Sequence, residues 1–140
     1  MDDTWELLMD LVMAERARIP QIAAEFRLSP PQVHALRLLE PDQPLPMGRL
    51  ACALGCDASN VTGIVDRLEQ RGLIERRSSD RDRRVKVLVV TAQGAKVRKA
   101  LLLRLGEPPQ SIASLSAADR RRLAGLLRRA LSRAAAAPAR

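Results

Sequence analysis

The run DASNVTGIVDRLEQRGLIERRSSDRDRRVKVLVVT, from Asp57 to Thr91, decides how this chain folds. Val61, Ile64, Val65 and Leu68 recur at the i, i+3, i+4, i+7 spacing of one buried helix face. Asp57 stands where an N-cap belongs and Gly72 where a C-terminal cap belongs. Leu73 to Ser78 reads as a short strand. Val85 to Val90, rich in β-branched residues, reads as a second. Ser79 to Arg84, between them, is too polar to pack and too charged for a buried turn. An amphipathic helix beside a basic hairpin is the layout of a winged helix-turn-helix, and it makes double-stranded DNA the leading candidate partner.

Upstream, Met47 to Leu54 reads as a short helix stopped by Gly55, the first arm of the helix-turn-helix. Pro41 to Pro46 reads as a loop. Ser29-Pro30-Pro31 is a helix start, an N-cap serine followed by proline at the first helical position. That helix carries Val33, Leu36, Leu38 and Leu39. Thr4 to Phe26 is helical in pattern, with Pro20 expected to kink or interrupt it. Downstream, Thr91 caps a helix from Ala92 to about Leu105 whose stripe is Val97, Leu101, Leu102 and Leu105. Pro108 and Pro109 break it. Ser116-Ala-Ala-Asp is a capping-box pattern opening a last helix through Leu123, Leu126, Leu127 and Leu131. The tail from Ala134 to Arg140 is expected to fray. The fold class that follows is mainly α with a small β-hairpin wing.

With 140 residues the chain can bury one real core. Trp5 and Phe26 are joined by no tyrosine, so Leu, Val, Ile and Ala must build that core. So few aromatics also argue against a platform for stacking unpaired bases. The formal charge of +8 attracts polyanions. The acidic start MDDTWELL is no secretory signal, and no apolar run approaches the ~20 residues of a membrane span. Cys52 and Cys56 make no disulfide framework, so a cytoplasmic, nucleoid-associated location is expected. Cys52 is expected to be buried in its short helix. Cys56, at a helix N-terminus, is the better thiol. No metal or cofactor site is expected, because metal sites need further ligands than these and His34 is the lone histidine. No His/Cys/acid cluster or glycine-rich phosphate loop supports an enzyme.

The helix from Asp57 leaves Ser59, Asn60, Thr62, Gly63, Asp66 and Arg67 pointing outward. Ser, Thr and Asn are short groups that can read base edges, and Arg67 suits phosphate. Arg49 in the preceding helix can add a phosphate contact. The bland alternative is a solvated helix face. In the hairpin, Arg76, Arg77, Arg81, Arg83, Arg84 and Lys86 cluster among Glu75, Asp80 and Asp82. An aspartate can hold an arginine in one rotamer for a narrow minor groove. Arg84 or Arg83 is the expected inserted residue, with Asp82 or Asp66 as its orienter. The alternative is a salt-bridged surface hairpin.

These segments resemble the multiple antibiotic resistance regulator (MarR) family of bacterial transcription factors. The resemblance rests on LSPPQVHALRLL (Leu28 to Leu39), VTGIVDRLEQRGLIERR (Val61 to Arg77), DRDRRVKVLVVTAQG (Asp80 to Gly94) and LSAADRRRLAGLLRRAL (Leu115 to Leu131). It covers nearly the whole chain. It implies a single domain over 1–140, with a winged helix over about 29–91 and dimerisation helices over about 4–26 and 92–137. It implies a homodimer on a pseudo-palindromic operator, joined through Leu7, Leu8, Leu11, Leu123, Leu126, Leu127 and Leu131. The family's wing arginine falls on Arg84 and its wing aspartate on Asp82. Gly63 departs from the pattern, since many relatives carry a longer, often basic, side chain there. The resemblance further implies a repressor released by a small-molecule effector in a pocket for which Trp5, Met9, Met13, His34 and Leu38 are the candidates. A plain core role for those residues is the competing reading. A non-specific architectural DNA-binding protein is the alternative function.

Overall fold

The computed structural model describes residues 2–55 and 57–136. They form two compact units, one ending at Gly106 and one starting at Glu107. The first holds α1 (Thr4–Ala14), α2 (Arg18–Glu25), α3 (Pro30–Leu38), β1 (Leu45–Pro46), α4 (Met47–Leu54), α5 (Ala58–Gln70), β2 (Ile74–Ser78), β3 (Lys86–Val90) and α6 (Ala92–Gly106). The second holds α7 (Gln110–Ala113) and α8 (Ala117–Ala136).

The core of the first unit is aliphatic. Ile22 and Ala23 of α2, Val33 and Leu36 of α3, Leu50 of α4, Val61, Val65 and Leu68 of α5, Ile74, Leu88 and Leu101 are all buried. Each Val, Leu or Ile among them contributes on the order of 1.5–3 kcal/mol of burial. Phe26 packs against this cluster at its margin. The strands form an antiparallel sheet in the order β1-β3-β2, with Ile74 opposite Val90 and Ser78 opposite Lys86.

The caps seen in the sequence are built. The Ser29 hydroxyl accepts from the Gln32 N–H, and the Gln32 side chain accepts from the Ser29 N–H, closing a capping box. The Thr91 hydroxyl accepts from the Gly94 N–H at 2.9 Å and donates to the Gly72 carbonyl at 2.6 Å. Thr91 therefore ties the start of α6 to the turn between α5 and β2. That turn needs a left-handed residue, and Gly72 supplies it at φ 68°. In the second unit the Ser116 hydroxyl accepts from the Asp119 N–H and donates to its carboxylate.

Arginines from later elements close the C-terminal ends of earlier helices, whose last carbonyls lack helical partners. Arg71 donates to the carbonyls of Phe26 and Arg27 beyond α2. Arg98 donates to those of Leu36 and Arg37 at the end of α3, and to the Glu40 carboxylate at 2.6 Å. Arg104 grips Glu25 with two hydrogen bonds, and this contact holds the Glu25 carboxyl below its ordinary pKa.

Several expectations need correction. The helical stretch from Thr4 to Phe26 is interrupted ahead of Pro20, in the turn where the Arg18 N–H donates to the Glu15 carbonyl. Pro20 itself sits in the first turn of α2, where its missing N–H removes no helical hydrogen bond. Leu45–Pro46 was expected to be loop, yet it pairs with Val87 and Leu88 as an edge strand. Proline is tolerated there because an edge residue need not donate to the ladder. The strands begin one residue later than the pattern suggests, at Ile74 and Lys86. Helix α7 was not foreseen. Leu102 was assigned to the apolar stripe of α6 but is exposed. Cys52 is exposed rather than buried, since α4 turns Leu50 inward instead. Cys56 lies outside the described residues, as does the end of the tail.

Candidate nucleic-acid interface

Helix α5 is anchored through Val61, Val65 and Leu68, which leaves Ser59, Asn60, Thr62, Gly63 and Arg67 exposed on its other side. Asp57 occupies the N-cap with extended backbone, and its side chain makes no capping hydrogen bond. Arg49, on α4, is exposed as well.

The wing tip is ordered by short-range hydrogen bonds. The Ser79 N–H donates to the Val85 carbonyl at 2.9 Å, and the Val85 N–H donates to the Asp82 carbonyl at 3.0 Å. The Asp82 carboxylate accepts from the Arg84 N–H at 3.0 Å. Asp82 thus shapes the backbone of the turn, as aspartates in such turns do. It does not pair with the Arg84 guanidinium, so the expected orienting salt bridge is absent from this structure. Asp66 does not serve Arg83 or Arg84 either, because it pairs with Arg76.

Arg76 is the residue whose role the sequence concealed. It was counted with the basic wing, but β2 turns its side chain toward α5. There it meets Asp66 and approaches Glu69, whose carboxylate also accepts from the Arg76 N–H at 3.0 Å. The signal for this was the strand alternation, since Arg76 lies two residues past buried Ile74 and so shares its face. The pairing joins wing to helix and offsets the charge of Asp66, which would otherwise repel a phosphate approaching α5. Arg77 leans on Glu75 at 2.7 Å, but both side chains stay open to solvent. Arg49, Arg67, Arg81, Arg83 and Arg84 have no carboxylate within ion-pairing distance among the described residues. Their charge is left for an external anion.

Two concavities adjoin α5. One, of about 370 Å³, lies between the start of α3 and the outward face of α5; Pro31, Ser59, Asn60, Gly63, Ile64 and Arg67 are among its walls. The other, of about 490 Å³, is lined by His34, Arg37, Leu38, Ala53, Leu54 and Ile64, with Pro31 at its edge. Of the effector candidates, His34 and Leu38 meet there. Trp5, Met9 and Met13 on α1 do not line it, and Trp5 is 68% exposed. The leucines assigned to dimerisation stand open in the single chain: Leu7 and Leu8 on α1, and Leu126, Leu127 and Leu131 on α8, are exposed, while Leu11 and Leu123 are half-buried. Among the described residues, no group of three or more His, Cys, Asp or Glu side chains is placed to hold a metal, and no helix is long and apolar enough to cross a membrane.

Comparison with known proteins agrees with this architecture. The sequence profile of the MarR family matches residues 28–86. The transcriptional repressor MprA of Escherichia coli K12 is 40% identical over 90 residues, covering 60% of this chain and 48% of MprA. The chain therefore spans about half the length of that relative. The crystal structure of a probable transcriptional regulator from Pseudomonas aeruginosa is 30% identical, covers 85% of this chain and 92% of its own, and superposes with a TM-score of 0.64. The Staphylococcus aureus MepR–DNA complex shares the fold, at 23% identity and a TM-score of 0.62, over 90% of this chain and 97% of that one. Helix-turn-helix, wing and flanking helices thus recur together in this fold, and over residues 28–86, from α3 to the start of β3, the chain matches the MarR family.

Proposed function

We propose that this protein is a sequence-specific, homodimeric DNA-binding transcriptional regulator, a repressor that a small ligand releases from a pseudo-palindromic operator. The observation that carries the reading is the pairing of a short polar face on α5 with a wing tip whose Arg81, Arg83 and Arg84 have no internal ion pair among the described residues. In this reading Ser59, Asn60 and Thr62 meet base edges in the major groove. Arg49, Arg67, Arg77 and Arg81 hold phosphates and set register. Arg84, beside Arg83 and shaped by Asp82, enters the narrow minor groove. MprA is named a repressor and MepR has been crystallised on DNA, which supports both halves of the assignment.

The two-fold assembly is supported by the open leucines of α1 and α8, which a second copy would cover. Leu127→Glu with Leu131→Glu is expected to leave monomers in sedimentation experiments; a dimer of unchanged stability would remove α8 from the interface. Effector binding is assigned to the cavity lined by His34 and Leu38.

The net charge of +8 also suits an architectural protein that coats DNA without choosing. Selection from a random duplex library followed by salt titration separates the two. A regulator is expected to prefer its selected site over random DNA by about 10³-fold or more. Affinity for both should fall with salt, at a slope of roughly −0.9 per phosphate neutralised. One affinity for every duplex would favour the architectural reading, and a flat salt response would remove DNA as the partner.

A further inference from the structure

Gly63, like Gly48, Gly106 and Gly125, has neither a positive φ nor a crowded Cβ position, but it lies in the middle of α5 beside a cleft. Gly55 and Gly72 adopt positive φ, and Gly94 has no room for a Cβ. Gly63 sits in the middle of α5 with helical backbone, and a Cβ there would meet nothing within 4 Å. A mid-helix glycine weakens a helix relative to alanine, because more backbone freedom is lost on folding. Neither packing nor backbone geometry requires that sacrifice here. Its surroundings suggest a different reason. Gly63 faces the cleft of about 370 Å³ between α5 and the start of α3. Ser59 and Asn60 precede it by four and three residues and Arg67 follows by four, so hydrogen-bonding groups surround it on the same helix side. Pro31 and Ile64 add apolar walls.

We infer that Gly63 is a specificity-determining residue: the missing side chain opens an apolar recess, rimmed by Ser59 and Asn60, that seats the 5-methyl group of a thymine. A thymine edge in the major groove presents a methyl beside the O4 acceptor, which matches an apolar floor beside hydroxyl and amide donors. A side chain at this position would occupy the place of the methyl. This rests on the DNA-binding reading above and names the base that the site selects.

The test uses the full chain, with wild type, Gly63→Ala and Gly63→Leu each put through random-duplex selection. Since the Cβ has open space, the variants should fold, and Gly63→Ala should raise the melting temperature by about 2–6 °C. Wild type and Gly63→Leu are expected to select sites that agree except at one thymine-bearing base pair in each half-site. Gly63→Leu should bind the wild-type site about 10- to 100-fold more weakly, the usual cost of a mismatched pair, with random-DNA affinity unchanged. Replacing that thymine by uracil should weaken wild type about fourfold per half-site, the worth of one buried methyl, and leave Gly63→Leu unaffected. If all three proteins select the same sequence, or uracil at every thymine costs wild type nothing, the recess is not a methyl site. If wild type selects no sequence at all, the DNA-reading assignment fails first and this inference falls with it.

Discussion

Arg84→Ala is expected to lower affinity for the selected operator by about 10²- to 10⁴-fold while leaving helical content and oligomeric state unchanged. The reasoning begins with the turn. Arg84 is exposed, and its backbone N–H, not its side chain, is what Asp82 holds. Truncating the side chain therefore leaves the wing tip intact. What is lost is a charged donor at the anion. Hydrogen bonds to charged groups contribute on the order of 1.5–3 kcal/mol, and a dimer loses one set on each half-site. Fluorescence anisotropy against a labelled duplex reads the change directly. Asp82→Ala is expected to act differently, since it removes the acceptor that fixes the turn and leaves Arg84 charged. Its loss should be smaller and come with a more mobile tip. Wild-type affinity in Arg84→Ala would reduce the wing to a structural hairpin.

Gly94→Ala is expected to destabilise the folded protein by more than about 3 kcal/mol, the upper range for inserting atoms into a packed site. A Cβ at Gly94 would lie 1.8 Å from the Leu73 carbonyl oxygen and 2.8 Å from its carbon. Those are backbone atoms, so no rotamer change relieves the clash. The same Leu73 carbonyl accepts from the Thr91 N–H, and Thr91 caps α6 onto Gly94. Moving either partner therefore disturbs the junction that ties the wing and α5 to α6. Urea denaturation should show a collapsed midpoint, or no cooperative transition at all. The contrast with Gly63 is the control, because alanine there is expected to stabilise. Equal tolerance at both positions would mean that α6 does not approach the turn this closely.

The wing and α5 were readable because their signals are local. Val61, Ile64, Val65 and Leu68 fall on one side of any helix, and Ser29, Gly72, Thr91 and Ser116 cap or turn the chain through bonds to residues close in sequence. Leu45–Pro46 was missed for the opposite reason. Two residues carry no periodicity, and they become a strand only because Val87 and Leu88 lie alongside. The break after α1 was placed at Pro20 because proline is the conspicuous breaker, whereas the chain turns among Glu15, Arg16 and Ala17.

From composition and order alone this chain is committed to an aliphatic, mostly helical body with a basic hairpin, since short-range spacing, caps and turn residues leave little choice. Which arginines remain free is another matter. Arg76, Arg77 and Arg84 look alike in the sequence, yet Arg76 is drawn onto Asp66, Arg77 leans on Glu75, and Arg84 stands open to solvent. A long cationic side chain takes whichever acceptor the packed backbone brings within reach. That distance is set by how helix, strand and turn meet, so the folded chain decided it.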